Sequence, residues 1–240
     1  MMPNLFIQNA FEPDRQLYFV SVIFTVVVSI ILHELAHGVA ALKQGDTTPR
    51  DSGHMTINPL IHMPPISIAL LLLIGIAWGL MPVNPSRFRS RFGEAIVAVA
   101  GPLTNLALAL LALTVLAVMI RILEPGMSFE RAFFQVPPGD AELTIFQVNV
   151  MFFLAVFGMI NIVLMLFNLV PLPPLDGSRI LANFNPGYRS FIEDPEKQQM
   201  LMIGFFLVFI VAGRLLFPLA RGIADGYVDW ILSIGQPVVY

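Results

Sequence analysis

The sequence predicts an all-α polytopic membrane protein with about four full transmembrane helices, a re-entrant segment and a small membrane-associated β element. Three observations carry that expectation. Hydrophobic residues fill 57% of the 240 positions and charged residues only 12%, against the ~25% charged that is usual in soluble domains. The mean hydropathy is +0.79. The apolar residues also gather into long runs, and a bilayer core of ~30 Å accepts runs of about 20 such residues.

A single domain, 1–240, is expected, because the polar stretches between the runs are too short for a large extramembrane module. Met1 to Gln16 is mostly polar and the apolar run after it is too long for a cleaved signal. Cysteine is absent, so a disulfide framework, a thiolate nucleophile and a thiolate-held metal are excluded, and any metal must use nitrogen and oxygen ligands. A net charge of −3 gives no sign of a nucleic-acid partner.

Taken in order, the first run, 17–42, is long enough to span even when tilted. The polar stretch 43–65 follows. Within it His54-Met55-Thr56-Ile57-Asn58 alternates with period two, the mark of a half-buried strand, and "DSG" and "NP" are turn chemistry. The stretch 66–81, interrupted by Gly75 and Gly79, makes a helix of only about 24 Å and is expected to dip in and return. Full spans are expected at 95–120 and 145–170, although they carry Asn105, Asn161 and Asn168, whose amides need partners inside the protein. A last span is expected at 198–219, and an interfacial tail at 221–240 holding Asp225, Tyr227, Asp229 and Trp230.

Loop charge orients these elements. With a re-entrant 66–81, Lys43, Arg50, Arg87, Arg89, Arg91, Arg179, Arg189 and Lys197 share the cytoplasmic side. The loop 124–144, with Glu124, Glu130, Asp140 and Glu142 against Arg131, lies outside. That is the arrangement the positive-inside rule prefers. A true crossing at 66–81 would instead put Arg87, Arg89 and Arg91 outside.

The chemistry sits in "HELAHG". His33 and His37, four apart, project from one helix face and can grip a single ion. Glu34 lies ~100° further round, poorly placed as a ligand and well placed to take a proton from water at the metal. Ionisable residues within a span are costly, so three within five positions need a shared reason. The alternative is a hydrogen-bonded cluster that only ties helices together. Zinc normally takes three protein ligands in a catalytic site. The strongest candidate for the third is Asp176 in "FNLVPLPPLDGSR", where Pro171, Pro173 and Pro174 withhold backbone donors and Gly177 allows a close turn. An ordinary proline-rich helix exit with a surface aspartate is the competing interpretation.

With these motifs, and with "MTINPLIH", "MPVNPSRFR" and "AGPLTN" between them, the chain resembles the site-2 protease family in its compact prokaryotic form, without appended PDZ or CBS domains. The resemblance runs from about Leu17 to Leu181. It implies a multi-pass cell-membrane zinc endopeptidase that cuts transmembrane protein substrates, its site toward the cytoplasm. Zn2+ would be held by His33, His37 and Asp176, with Glu34 activating water. It further implies that Asn168 contacts the unwound substrate, and that the stretch from His54 to Asn58 forms a β element at which both residues meet substrate. Two positions depart from the family: it commonly has an arginine where this chain has His54, and an acidic residue where this chain has Pro64. His54 and His62 remain open as extra ligands, a transition-state electrophile or interfacial polar groups. In "AGPLTN", Gly101 is expected to permit close helix approach and Asn105 to satisfy nearby backbone.

Two rival functions follow from the same residues. A membrane zincin with a glutamate as third ligand is disfavoured because Glu94 lies at the start of a span and Glu124, Glu130, Glu142, Glu193 and Glu196 lie in loops. A non-catalytic metal-binding scaffold or transporter would not require Glu34 beside the first histidine.

Overall fold

The computed structural model describes residues 5–135 and 143–234, and among them the chain is helical. Four helices are long and apolar enough to cross a membrane. The first, α1, runs Gln16–Gln44 and ends at Gly45, whose φ of 99° is a left-handed cap that few other residues adopt. After it come two one-turn helices, α2 (Thr48–Asp51) and α3 (Pro59–His62), and then α4 (Pro65–Ile74). The second long helix, α5, spans Gly93–Leu123 with Pro102 inside it. Short α6 (Phe129–Phe133) precedes the third long helix, α7 (Ile145–Asn168), which opens with a capping box between Thr144 and Gln147. Two short helices, α8 (Asp176–Phe184) and α9 (Pro186–Glu193), lead to the fourth long one, α10 (Gln198–Ser233). Asp140 and Glu142, used above to weigh loop charge, lie outside the described residues.

Helix α5 is the hub, packing on α1, α7, α8 and α10. Small residues bring the helices close: Leu113 of α5 fills the space where a side chain at Gly158 of α7 would stand. The main core joins Leu113, Leu116, Ala117 and Ile120 of α5 to Met151 and Ala155 of α7 and to Ala220, Ala224 and Val228 of α10. A second core packs Val22, Val26 and Ile30 of α1 against Phe152, Val156 and Ile160 of α7, with Met63 and Leu71 closing it.

Two expectations require correction. The stretch 43–65 forms no strand among the described residues, because its backbone groups are engaged locally. Thr56 N–H donates to the His54 carbonyl, Asn58 N–H to the Thr56 hydroxyl, and Asn58 Oδ1 caps α3 by accepting from Leu60 N–H. Pro49, Pro59, Pro64 and Pro65 withhold four more donors from any ladder. Period-two alternation therefore reflects turns, not pleating. The second correction concerns the tail. Residues 221–233 continue α10 past Pro218 rather than leaving it, since Ala220, Ala224 and Val228 recur every four residues and are fully buried on the core.

The 66–81 stretch is a helix only to Ile74 and then reverses at Gly75 (φ 78°). On the way back, Trp78 N–H donates to the Ser67 hydroxyl and Ser67 donates to the Trp78 carbonyl, both at 2.8 Å, and Leu80 N–H reaches the His62 carbonyl at 2.9 Å. The chain thus returns to the level at which α4 began. The returning segment lies along α1, with Gly79 against Glu34 and Ile30 and with Met81 against Gly38.

The turn after α1 is tied to that segment by Asp46, whose side chain is fully buried. It accepts from Asn84 N–H at 2.6 Å and from Thr48 N–H at 3.0 Å, and the Thr48 hydroxyl also donates to it. Burial opposes its charge, yet these donors, with Arg87 at 3.9 Å, hold its carboxyl below the usual carboxylate range. A depressed folded-state pKa gives stabilisation that is complete above the unfolded value of ~3.9 and lost as pH falls through the folded value. Asp46→Ala is accordingly expected to cost about 1–3 kcal/mol at neutral pH, freeing the 83–90 segment. Amide exchange at Asn84 measures this, and exchange as slow as in the unaltered chain would refute it.

Candidate metal centre

His33 and His37 stand one turn apart on α1, with ring centroids 4.6 Å apart and interplanar angle 84°. Their Nε2 atoms lie 2.9 Å from each other. Asp176, the first residue of α8, places Oδ2 3.2 Å from His33 Nε2 and Oδ1 3.4 Å from His37 Nε2. Among the described residues these three make the one group of histidine and acidic side chains whose donor atoms all converge within 4.8 Å. Glu34, His54 and His62 are not members.

The local chain explains how Asp176 arrives there. Helix α7 stops at Asn168, and Pro171, Pro173 and Pro174 follow, with tight turns closed by Leu172 N–H to the Val170 carbonyl and Leu175 N–H to the Leu172 carbonyl. The Pro173–Pro174 peptide is cis. Gly177 lies so close to the Leu169 carbonyl that any Cβ would overlap it. The Ser178 hydroxyl donates to the Leu175 carbonyl at 2.7 Å, fixing the first turn of α8.

A chain of amides sets the protonation of the histidines. Asn161 Nδ2 donates to the Phe157 carbonyl at 2.9 Å, so its Oδ1 faces Asn105 and accepts from Asn105 Nδ2 at 3.0 Å. Asn105 Oδ1 is thereby turned to His33 Nδ1 at 2.6 Å, and His37 Nδ1 meets the Val97 carbonyl at 2.7 Å. A carbonyl only accepts, so each Nδ1 carries a proton and each Nε2 presents a lone pair. In the neutral imidazoles two lone pairs and a carboxylate then face one another, and Asp176 Oδ2 is buried without a hydrogen-bond donor despite its nearness to His33. A cation answers all three. Tetrahedral zinc with bonds of ~2.0–2.1 Å separates its ligand atoms by about 3.3 Å, and the observed 2.9–3.4 Å fits that edge. The set of two nitrogens and one carboxylate also matches catalytic zinc, which keeps a fourth position open.

Room for the group comes from glycine. A Cβ at Gly101 of α5 would collide with both imidazoles, and one at Gly79 would strike the Glu34 carboxylate and Ile30. Glu34 itself is buried. The other residues singled out by sequence lie elsewhere. Asn168, at the end of α7, donates back to the Leu164 carbonyl at 3.0 Å. His54 Nδ1 pairs with Ser52, and Asn58 caps α3 on an exposed turn. His62 is fully buried, with Nε2 2.6 Å from the Thr56 carbonyl. Sequence reasoning gave Asn105 a backbone partner and gave Asn161 no named one. Their shared link to His33 was visible only as two amides inside apolar spans.

A donor set of this kind, held among helices of membrane length, defines a membrane protein of the metallohydrolase class. Residues 21–211 match peptidase family M50. The chain is 32% identical to a provisionally named zinc metalloprotease, YwhC, of Bacillus subtilis, over 94% of this chain and 100% of that one. It is 27% identical to a provisionally named zinc metalloprotease, Rip2, of Mycolicibacterium smegmatis, over 94% of this chain and 83% of the relative. The like-named protein of Mycobacterium tuberculosis is 28% identical over 90% and 74%. No solved structure gives a significant match. The chain belongs to peptidase family M50, the site-2 protease family its motifs resemble.

Because Gly101 is in contact with both rings, Gly101→Ala is expected to push α5 off α1, costing about 1–3 kcal/mol from overpacking. Metal retained by the purified protein, read by elemental analysis, should fall well below the unaltered chain's. Full retention would show that the rings tolerate a methyl there.

Proposed function

We propose that this protein hydrolyses peptide bonds within or near transmembrane segments of membrane-anchored protein substrates, as a step in regulated intramembrane proteolysis. In the proposed site His33, His37 and Asp176 are the zinc ligands and Glu34 is the catalytic base. The chain is a zinc metalloendopeptidase. One observation carries the residue assignment: both imidazoles have their Nδ1 protons tied to acceptors, so both Nε2 lone pairs and the Asp176 carboxylate aim at a common point.

Zinc bound there supplies Lewis-acid polarisation of the scissile carbonyl and lowers the pKa of water toward ~7. The chain's own residues do the rest. Glu34 takes the proton of the attacking water and delivers it to the leaving amine. Asn105 and the Val97 carbonyl keep the imidazoles in the ligating tautomer. Gly79 leaves room for the Glu34 carboxylate that any side chain at that position would occupy. A substrate helix hides its carbonyls in its own hydrogen bonds, so it must unwind before attack. Asn168, at the α7 end that leads into the Asp176 turn, and Asn58 and His54, on the exposed turn between α2 and α3, would meet the unwound stretch.

We further propose that α4 and its return form a re-entrant hairpin and that the site faces the cytoplasm. Supporting this, the basic residues at the C-terminal end of α1 and the N-terminal end of α5 gather together. Arg89 N–H binds the Gln44 carbonyl, Arg87 approaches Asp46 and Asp51, and Arg179 and Arg189 reach Glu94. Single cysteines at Ser52 and Ser86, on either side of α4 and its return in a chain that has no cysteine, should label from the same face of the membrane. Labelling from opposite faces would turn 66–81 into a crossing.

The test of mechanism is Glu34→Gln, which keeps shape but accepts no proton. Reconstituted with a panel of single-span substrates, it should retain about one zinc per chain while cleavage drops roughly 10²–10⁴-fold. His37→Ala and Asp176→Ala should lose most of the metal. Mass spectrometry of the peptide products, with and without a chelator, gives the readout. Equal cutting by Glu34→Gln and the unaltered chain, or cutting indifferent to chelator, would overturn the mechanism.

A further inference from the structure

Glu94 lies in the first turn of α5, with a side chain only 12% exposed. Its Oε1 is 3.4 Å from Arg179 Nη1, and its Oε2 is 2.5 Å from Arg189 Nη2. Arg189 spends its other nitrogen on Glu193 at 3.3 Å. Neither arginine is near Glu94 in sequence: one is on α8 and the other on α9. Around this ion pair the same two surfaces meet twice more. Ala95 N–H donates to Asn183 Oδ1 at 3.4 Å, and Phe92 stacks on Phe184 with centroids 5.7 Å apart. Tyr188 Oη, from α9, also donates to the Pro171 carbonyl at 2.8 Å.

Arg179 is three residues beyond Asp176, so the clamped guanidinium and the candidate ligand lie one turn apart on the same short helix. Helix α8 has nine residues, is joined on its Asp176 side to a proline segment whose backbone bonds are local turns, and packs on α5. Its position relative to α1 is therefore set through α5. That helix carries the Val97 carbonyl that holds His37, Gly101 that touches both rings, and Asn105 that holds His33. All three candidate ligands are thus gauged against one helix: the histidines from residues 97 to 105, and Asp176 through Glu94.

We propose that Glu94 is a positioning residue for the metal site: by binding Arg179 and Arg189 it fixes α8 on α5 and so sets the distance from Asp176 to the two imidazoles. The proposal rests on Asp176 being a ligand. The shared carboxylate is largely shielded from water while Arg179 and Arg189 keep 55% and 35% of their side chains exposed, so salt screens the cluster in part. Removing the carboxylate leaves both guanidinium groups without the α5 partner they share.

The test uses full-length protein in detergent, loaded with zinc or with Co2+ as a spectroscopic stand-in. Glu94→Gln is expected to release zinc to a chelator about 10- to 100-fold faster, the range typical for loss of an outer-shell partner. It should also shift or weaken the cobalt d–d bands, which report ligand geometry and which a general loss of stability would not move in folded protein. Charge exchange, Glu94→Arg with Arg189→Glu, should restore part of both readouts. If Glu94→Gln fails to fold, Arg189→Lys decides, since it keeps the charge and loses the fork: altered bands support the clamp and unaltered bands overturn it. Folded Glu94→Gln with the release rate and spectrum of the unaltered protein likewise overturns it. Asp176→Ala separates the two levels of the argument. If that variant keeps the full cobalt spectrum, the ligand assignment itself has failed. If it loses the spectrum while Glu94→Gln does not, only the positioning role has.

Discussion

Two imidazole lone pairs and a carboxylate held about 3 Å apart inside a protein repel one another, and the rest of the structure is arranged around that repulsion. Left alone, such a group would swing its side chains apart or protonate. Asn105 and the Val97 carbonyl hold the far side of each ring, so His33 and His37 cannot swing apart without breaking those bonds. Nor can Asp176 move freely, since the glycine behind it is wedged on the Leu169 carbonyl. The three donors are kept in an arrangement that a bound cation would relieve.

This arrangement depends on nonlocal packing. Helix α5 sits between α1 and α7 and passes the constraint from Phe157 through Asn161 and Asn105 to His33. A buried amide chain of this type is costly unless every member is satisfied, and here the chain terminates on a backbone carbonyl that closes the count. The small residues along α5, Gly101 and Ala109 among them, allow the close approach without which the amide could not reach the ring.

Much of this was legible in the sequence, unevenly and for identifiable reasons. Long apolar runs mark membrane helices because a bilayer tests composition over about 20 residues at once, and the four long helices were visible that way. His33 and His37 were legible because helical spacing alone makes them neighbours, and Asp176 because a proline-rich break beside an acidic residue is unusual at the end of a span. The stretch from His54 to Asn58 misled, since five alternating residues cannot distinguish a strand from a series of capped turns when prolines flank them. The continuation of α10 past Pro218 was missed because the polar residues Asp225 and Asp229 dominate the composition there, while the small buried stripe at Ala220, Ala224 and Val228 carries the packing. The partner of Asn105 could not be read at all: it is set by which helix lies opposite, and that is a property of the assembled bundle.

The spacing of the donors along the chain has a consequence for how the molecule is made. His33 and His37 lie in the first long helix and Asp176 after the third, so synthesis places the two histidines in the membrane well over a hundred residues before the carboxylate exists. A ribosome-bound chain at that stage holds two of the three donors, and neither Asn161 nor α8 is present to orient them. The donor set is therefore incomplete while the first three long helices are made. The last donor is thus supplied only once three of the four long helices exist, with α10 alone among them still to be made.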